Sequence, residues 1–133
     1  MTSDRFERGL AIRKAVLGDA YVEKALAGAD EFSRPMQELV TEYCWGTVWA
    51  REGLPLKTRS MLNLAMLSAL NRPHELKGHV RGALTNGVTR AEICEVLLQV
   101  AVYCGMPAGM ESFRLAREVF AEIDGKDEGK ASA

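Results

Sequence analysis

KTRSMLNLAMLSAL, residues 57–70, decides the fold. After its first turn the stretch is apolar nearly all round and shows no strand-like alternation, which predicts a helix at the centre of a helical bundle. Pro73 breaks the chain, and a second helix is expected to restart near His74, carrying Leu76, Val80 and Leu84 inward until Asn86-Gly87 supplies a left-handed stop. Thr89 and Glu92 then have the spacing of a capping box for a helix through about Tyr103. Gly105 and Pro107 divide that helix from a last one reaching about Ile123. Working back toward the N-terminus, a helix is predicted over Asp4 to Leu17, closed by Gly18, and a short one over Tyr21 to Leu26. Ser33, with Pro35 in the first turn, is expected to cap a long helix carrying Met36, Leu39, Val40, Tyr43, Cys44, Thr47 and Val48, ended by Gly53 and Pro55. The expected fold class is all-α: one bundle of about six to seven helices over residues 1–123, followed by a polar, flexible tail over 124–133.

The chain has 133 residues and 47% hydrophobic content, enough for one domain with a real core. Seventeen basic residues against eighteen acidic give a net charge of −1, which argues against the positive field of a nucleic-acid binder. The start, MTSDRFERGL, lacks the apolar core of a signal peptide, and no stretch approaches the roughly 20 apolar residues of a membrane span, so a cytoplasmic location is expected. Cys44, Cys94 and Cys104 form no C-x-x-C and leave an odd thiol, which predicts reduced, mostly core cysteines. No G-x-x-x-x-G-K loop or G-x-S-x-G elbow is present.

Both histidines and a glutamate crowd into HELKGH, residues 74–79. The zinc helix H-E-x-x-H sets its histidines four apart, but here they stand five apart and point about 140° away from each other, unsuited to chelating one ion. Glu75 and His79 are spaced i,i+4 and share a face. They form either a surface pair or an acid/base unit in which the carboxylate orients an imidazole that exchanges protons near neutral pH. His74 reads as a helix-start or surface residue. Arg59, in the first turn of the most apolar helix, must reach solvent or meet an anion. Trp45 and Trp49 share one face and are either core or interface fillers or ligand walls. Tyr103 is either a buried tyrosine with a satisfied hydroxyl or a pocket donor.

Residues from about Tyr43 to Ala116 resemble the carboxymuconolactone decarboxylase family, within the alkylhydroperoxidase D-like superfamily. The resemblance is carried by WGTVWAREGL (45–54), KTRSMLNL (57–64), HELKGHVRGALTNGVT (74–89), AEICEVLLQ (91–99) and VYCGMPA (102–108). In the superfamily's peroxidase branch a glutamate precedes a C-x-x-C, and a histidine follows the second cysteine by four. His79 matches that histidine, whereas the cysteine positions fall on Arg72 and Glu75 and the glutamate position near Ser60. Without two thiols a disulfide-exchange cycle has no chemistry to run on.

The resemblance implies loss of carbon dioxide from 4-carboxymuconolactone to give the β-ketoadipate enol-lactone, a step of protocatechuate catabolism, without cofactor or metal. For that reaction physical reasoning assigns His79 as proton donor, with Glu75 orienting it or acting as the acid. Arg59 becomes the carboxylate anchor, Trp45 and Trp49 walls that exclude water, and Tyr103 a pocket residue. A ring-shaped homo-oligomer, hexamer or trimer, is expected from the same resemblance. Two other readings stand beside it: a same-fold enzyme acting on a related lactone or keto acid, and a non-catalytic oligomeric binding protein.

Overall fold

A computed structural model describes the backbone of residues 3–132 and the side chains of residues 3–126. All its regular structure is helical: α1 (Asp4–Leu17), α2 (Asp19–Ala27), α3 (Arg34–Leu39) running into a π-helical stretch (Val40–Trp49), α4 (Leu56–Ala69), α5 (Pro73–Thr85), α6 (Arg90–Cys104) and α7 (Met106–Ser132). The chain forms two compact units, divided after Arg59.

In the N-terminal unit, α1 packs along the π-helical stretch. Ser3 caps α1 by accepting from the Phe6 amide, and Gly18 ends it at φ 96°, a conformation an L side chain rarely adopts. The expected cap at Ser33 is absent: its backbone is already helical, and its hydroxyl accepts instead from the Asp30 amide while Asp30 accepts from the Ser33 amide. That reciprocal turn occupies the groups a cap would use.

The single long α-helix expected beyond Ser33 changes pitch at Val40. Thr41, fully buried, sends its hydroxyl back to the Gln37 carbonyl at 2.7 Å and accepts from Arg13 Nη1 at 3.1 Å. A side chain competing for an i−4 carbonyl is a local reason for the ladder to slip to i→i+5. The wider turn sets Trp45 and Trp49 almost one above the other, with ring centroids 4.6 Å apart. Thr41, Trp45, Gly46 and Trp49 face the core, and Met36, Leu39, Tyr43 and Val48 are exposed.

The C-terminal unit is built on one apolar cluster. Leu64 of α4, Leu76, Val80 and Ala83 of α5, Val88 of the connection after it, Ile93 and Leu97 of α6, and Leu115, Ala116 and Val119 of α7 are all buried in it. The capping box is present, Thr89 Oγ1 accepting from the Glu92 amide and Glu92 Oε1 from the Thr89 amide, both at 3.0 Å. Gly87, at φ 90°, supplies the predicted left-handed stop.

Helix α4 departs from the expectation of burial all round. Ser60, Leu64 and Ser68 form its buried face, while Leu62 and Met66, and Leu70 just past its end, are exposed. The two serines are tolerated inside because Ser68 donates to the Leu64 carbonyl at 2.6 Å and Ser60 accepts from Asn86 Nδ2 at 2.9 Å.

A stop near Ile123 was the other expectation for α7, but its backbone continues to Ser132, and Ala133 lies outside the described residues. No proline interrupts the segment, and extending an existing helix adds a hydrogen bond for each residue fixed. The cysteines also differ from the reading: Cys44 and Cys94 are half-buried and Cys104 is exposed, and all three are free thiols.

Candidate active site

His79 lies in the second turn of α5, between Gly78 and the fully buried Val80. Because Val80 is committed to the core, the neighbouring imidazole is carried to the edge of that core and is half-buried. Its Nδ1 stands 3.4 Å from Nδ2 of Asn63 on α4. Asn63 in turn precedes Leu64, another fully buried residue, so both polar side chains are rooted beside immobile core positions. Burial pushes the His79 pKa below its ordinary value near 6.5, and the Glu75 carboxylate pulls it up more weakly. Glu75 itself is exposed, one turn earlier on α5. An exposed carboxylate beside a half-buried ring acts through space and through solvent, which is why it only moderates the effect of burial.

The lowered pKa has a consequence for stability. Below pH 6.5 the unfolded chain binds a proton at this histidine that the folded chain resists, so folding is expected to weaken as pH falls from 6.5 through the folded pKa. Urea unfolding of the wild-type protein and of His79→Gln at pH 7.5 and 5.5 checks it, since the variant should lose less stability on acidification.

The remaining expected site residues are distributed as follows. Arg59 is half-buried; its Nη2 donates to the Arg51 carbonyl at 3.5 Å, and its Nε is buried with no hydrogen-bond partner. Trp45 and Trp49 are 3% and 4% exposed and pack with Val16 in the core of the N-terminal unit, the position of core fillers. Tyr103 is 81% exposed, so it is not the buried tyrosine of the first alternative. His74 is exposed at the start of α5, as expected. Burial raises the Cys44 pKa, with Arg13 opposing it, which makes this thiol a poor thiolate. Among the described residues no three His, Cys, Asp or Glu side chains are grouped so as to hold a metal ion.

A cavity of about 290 Å³ in the C-terminal unit opens beside Ser68, Arg72, Pro73, Glu111 and Ser112, and His79 is not among its lining residues. Its polar lining is largely engaged already. Arg72 donates to the carbonyls of Leu70 and Asn71, Glu111 pairs with Arg114, and Ser112 donates to the Ala108 carbonyl.

The half-buried imidazole in a helical pair with no accompanying thiol pair sits within a matched segment: residues 34–118 fit the model of the carboxymuconolactone decarboxylase family. The chain belongs to that family. It is 46% identical over 125 residues to the nitrosuccinic acid decarboxylase of Metarhizium robertsii, covering 94% of this chain and 87% of the relative. It is 39% identical over 119 residues to the 4-carboxymuconolactone decarboxylase of Acinetobacter baylyi, covering 90% and 89%. Both relatives are named decarboxylases, and this member of the family is accordingly an enzyme of the carboxy-lyase class.

Asn63 escaped the sequence reading. It is 16 residues from His79 and on a different helix, so no local spacing joins the two. The available signal was a lone amide in an otherwise apolar run, LNLAML, at 62–67. Such a residue in a helix near a core needs a partner.

Proposed function

We propose that the chain decarboxylates a small dicarboxylate whose departing carbon dioxide leaves its bonding electrons in an adjacent π acceptor. The substrate proposed is 4-carboxymuconolactone, converted to the β-ketoadipate enol-lactone in protocatechuate catabolism. The observation that carries the reading is the half-buried His79 imidazole, held by Asn63 inside the segment that defines the family. In the reaction, the carbon–carboxylate bond breaks, its electron pair flows through the ring double bond to the lactone carbonyl, and a dienolate forms. One proton then adds to the carbon alpha to that carbonyl, so each carbon dioxide released consumes one proton. His79 delivers the proton, and Glu75, one turn earlier, keeps a negative charge near the ring so that it can be recharged. The two substrate carboxylates favour the imidazolium in the same way when they arrive.

Arg59 is the proposed carboxylate anchor. Its buried, unpartnered Nε is a donor that a carboxylate could satisfy, and a planar guanidinium can grip one with two hydrogen bonds. Arg59→Lys keeps the charge but loses the fork, and is expected to raise KM about tenfold with a smaller change in kcat, as measured by initial rates of carbon dioxide release.

A second substrate is favoured by the 46% identity to a nitrosuccinic acid decarboxylase. Nitrosuccinic acid is also a dicarboxylate, and the electrons left by its carbon dioxide can flow into the nitro group before a proton returns to carbon. The two substrates therefore ask the same work of His79 and Arg59. Supplying each acid separately to the purified protein and measuring carbon dioxide decides between them: release from the lactone supports the reading, release from nitrosuccinate alone replaces the substrate, and release from neither overturns it.

Assembly into a ring-shaped homo-oligomer, hexamer or trimer, belongs to the same reading. It is supported by Val102, Tyr103, Met106 and Met110, which leave apolar surface exposed at the junction of α6 and α7. Among the described residues no helix is long and apolar enough to cross a membrane, and the proposed location is the cytoplasm.

A further inference from the structure

We infer that Asn63 is the positioning residue of His79: its side-chain amide occupies Nδ1 and thereby reserves Nε2 as the nitrogen that gives up the proton. What Nε2 does there rests on the decarboxylase reading, whereas the state of the ring does not.

The 3.4 Å contact between Asn63 Nδ2 and His79 Nδ1 is at the long end of hydrogen bonding. Both partners are held there by their backbones. Leu64 and Val80, the residues that follow them, are 0% exposed in one core cluster, and a second amide tie, Asn86 to Ser60 at 2.9 Å, joins the same α4 to the end of α5.

Chemistry follows from the atom types. In the proposed arrangement the amide N–H faces Nδ1, which then keeps its lone pair, and the neutral ring carries its hydrogen on Nε2. When the ring is protonated, half a turn of the amide offers Oδ1 to the new Nδ1–H. One uncharged side chain thus serves both charge states, and Nε2 donates in either case. An aspartate at this position would accept only from Nδ1–H and would favour the imidazolium throughout. The amide leaves burial in control of the ring, with Glu75 as the acidic counterweight.

The test reads the tautomer directly. Nitrogen-15 spectra of protein labelled at histidine, with His74→Gln to assign the exposed second ring, are recorded above the His79 titration for the wild-type chain, Asn63→Leu and Asn63→Asp. The expected result is a dominant Nε2–H tautomer in the wild type and a mixed population in Asn63→Leu. Asn63→Asp should show protonated Nδ1 and a titration midpoint shifted upward. In turnover, Asn63→Leu should lower kcat about tenfold with KM nearly unchanged, and Asn63→Asp should recover part of it with its pH profile displaced in the same direction as the midpoint.

A wild-type ring already protonated on Nδ1, or a tautomer that does not move in Asn63→Leu, overturns the assignment. Because the spectra need no substrate, the outcomes separate. If the tautomer shifts as expected but the wild type releases carbon dioxide from neither acid, Asn63 keeps its role and the functional reading falls. If turnover is found but the tautomer is insensitive to Asn63, the reverse holds.

Discussion

Replacing His79 by glutamine is expected to lower kcat for decarboxylation by about 10²–10⁴-fold, the range associated with loss of a positioned proton donor. Glutamine is close in size and can still hydrogen-bond toward Asn63, so the half-buried niche beside Leu64 and Val80 should stay filled. KM should change little, because the missing interaction is one made when the carbanion-like intermediate takes its proton. Helical circular dichroism and the unfolding midpoint at pH 7.5 serve as controls for folding. Turnover within a fewfold of wild type would remove His79 from the chemistry and move attention to Glu75 as the acid. Loss of turnover together with loss of helical signal would instead make His79 a structural residue.

The second large effect is expected where α1 meets the π-helical stretch. A Cβ added at Gly9 would stand 2.0 Å from the Thr41 carbonyl oxygen and 2.7 Å from the Gly46 amide nitrogen, and one added at Gly46 would stand 2.2 Å from the Arg5 carbonyl oxygen. These neighbours are backbone atoms, so relief requires the two helices to part. Parting them would also strain the hydrogen bond from Arg13 to Thr41 and leave the guanidinium buried with less to bind. Gly9→Ala is therefore expected to cost about 3 kcal/mol, the upper part of the range for overpacking a well-filled core. Gly78 provides the contrast. It is inside α5 with nothing within 4 Å of an added Cβ, so Gly78→Ala should be neutral or stabilising by about 0.5–1 kcal/mol. Urea denaturation of both variants checks the pair, and equal midpoints for them would mean that the close approach at Gly9 does not hold in solution.

Helix positions were legible wherever a local signal marked an end. Gly18, Pro73, Gly87, the Thr89–Glu92 box and Gly105 each act within a turn of the residue that carries them, and each ends or starts a helix where expected. Ser33 misled because Asp30, three residues earlier, competes for the same hydroxyl, and the sequence pattern does not rank the two. The π-helical pitch from Val40 was illegible for a related reason. It accompanies Thr41 meeting Arg13, 28 residues away on another helix. The apolar run of α4 was read as fully buried because periodicity shows how hydrophobic a face is, and does not show whether a neighbour covers it.

At the site, the pairing of Glu75 and His79 required only helical spacing and was visible from the letters HELKGH. The burial that lowers the His79 pKa, and the Asn63 amide that meets its Nδ1, were not.

The amino-acid order alone determined that this is a helical protein, where most helices begin and end, and that one imidazole stands a turn after a carboxylate in a chain without a thiol pair. Those properties depend on contacts within four or five residues. Tertiary structure decided which faces are covered, where the helix widens, how deeply His79 sits and which side chain meets its inner nitrogen. Each of these depends on partners many positions away: burial of the cluster around Leu64, Leu76 and Val80 sets the surroundings of His79, and the meeting of Arg13 with Thr41 accompanies the widened helix.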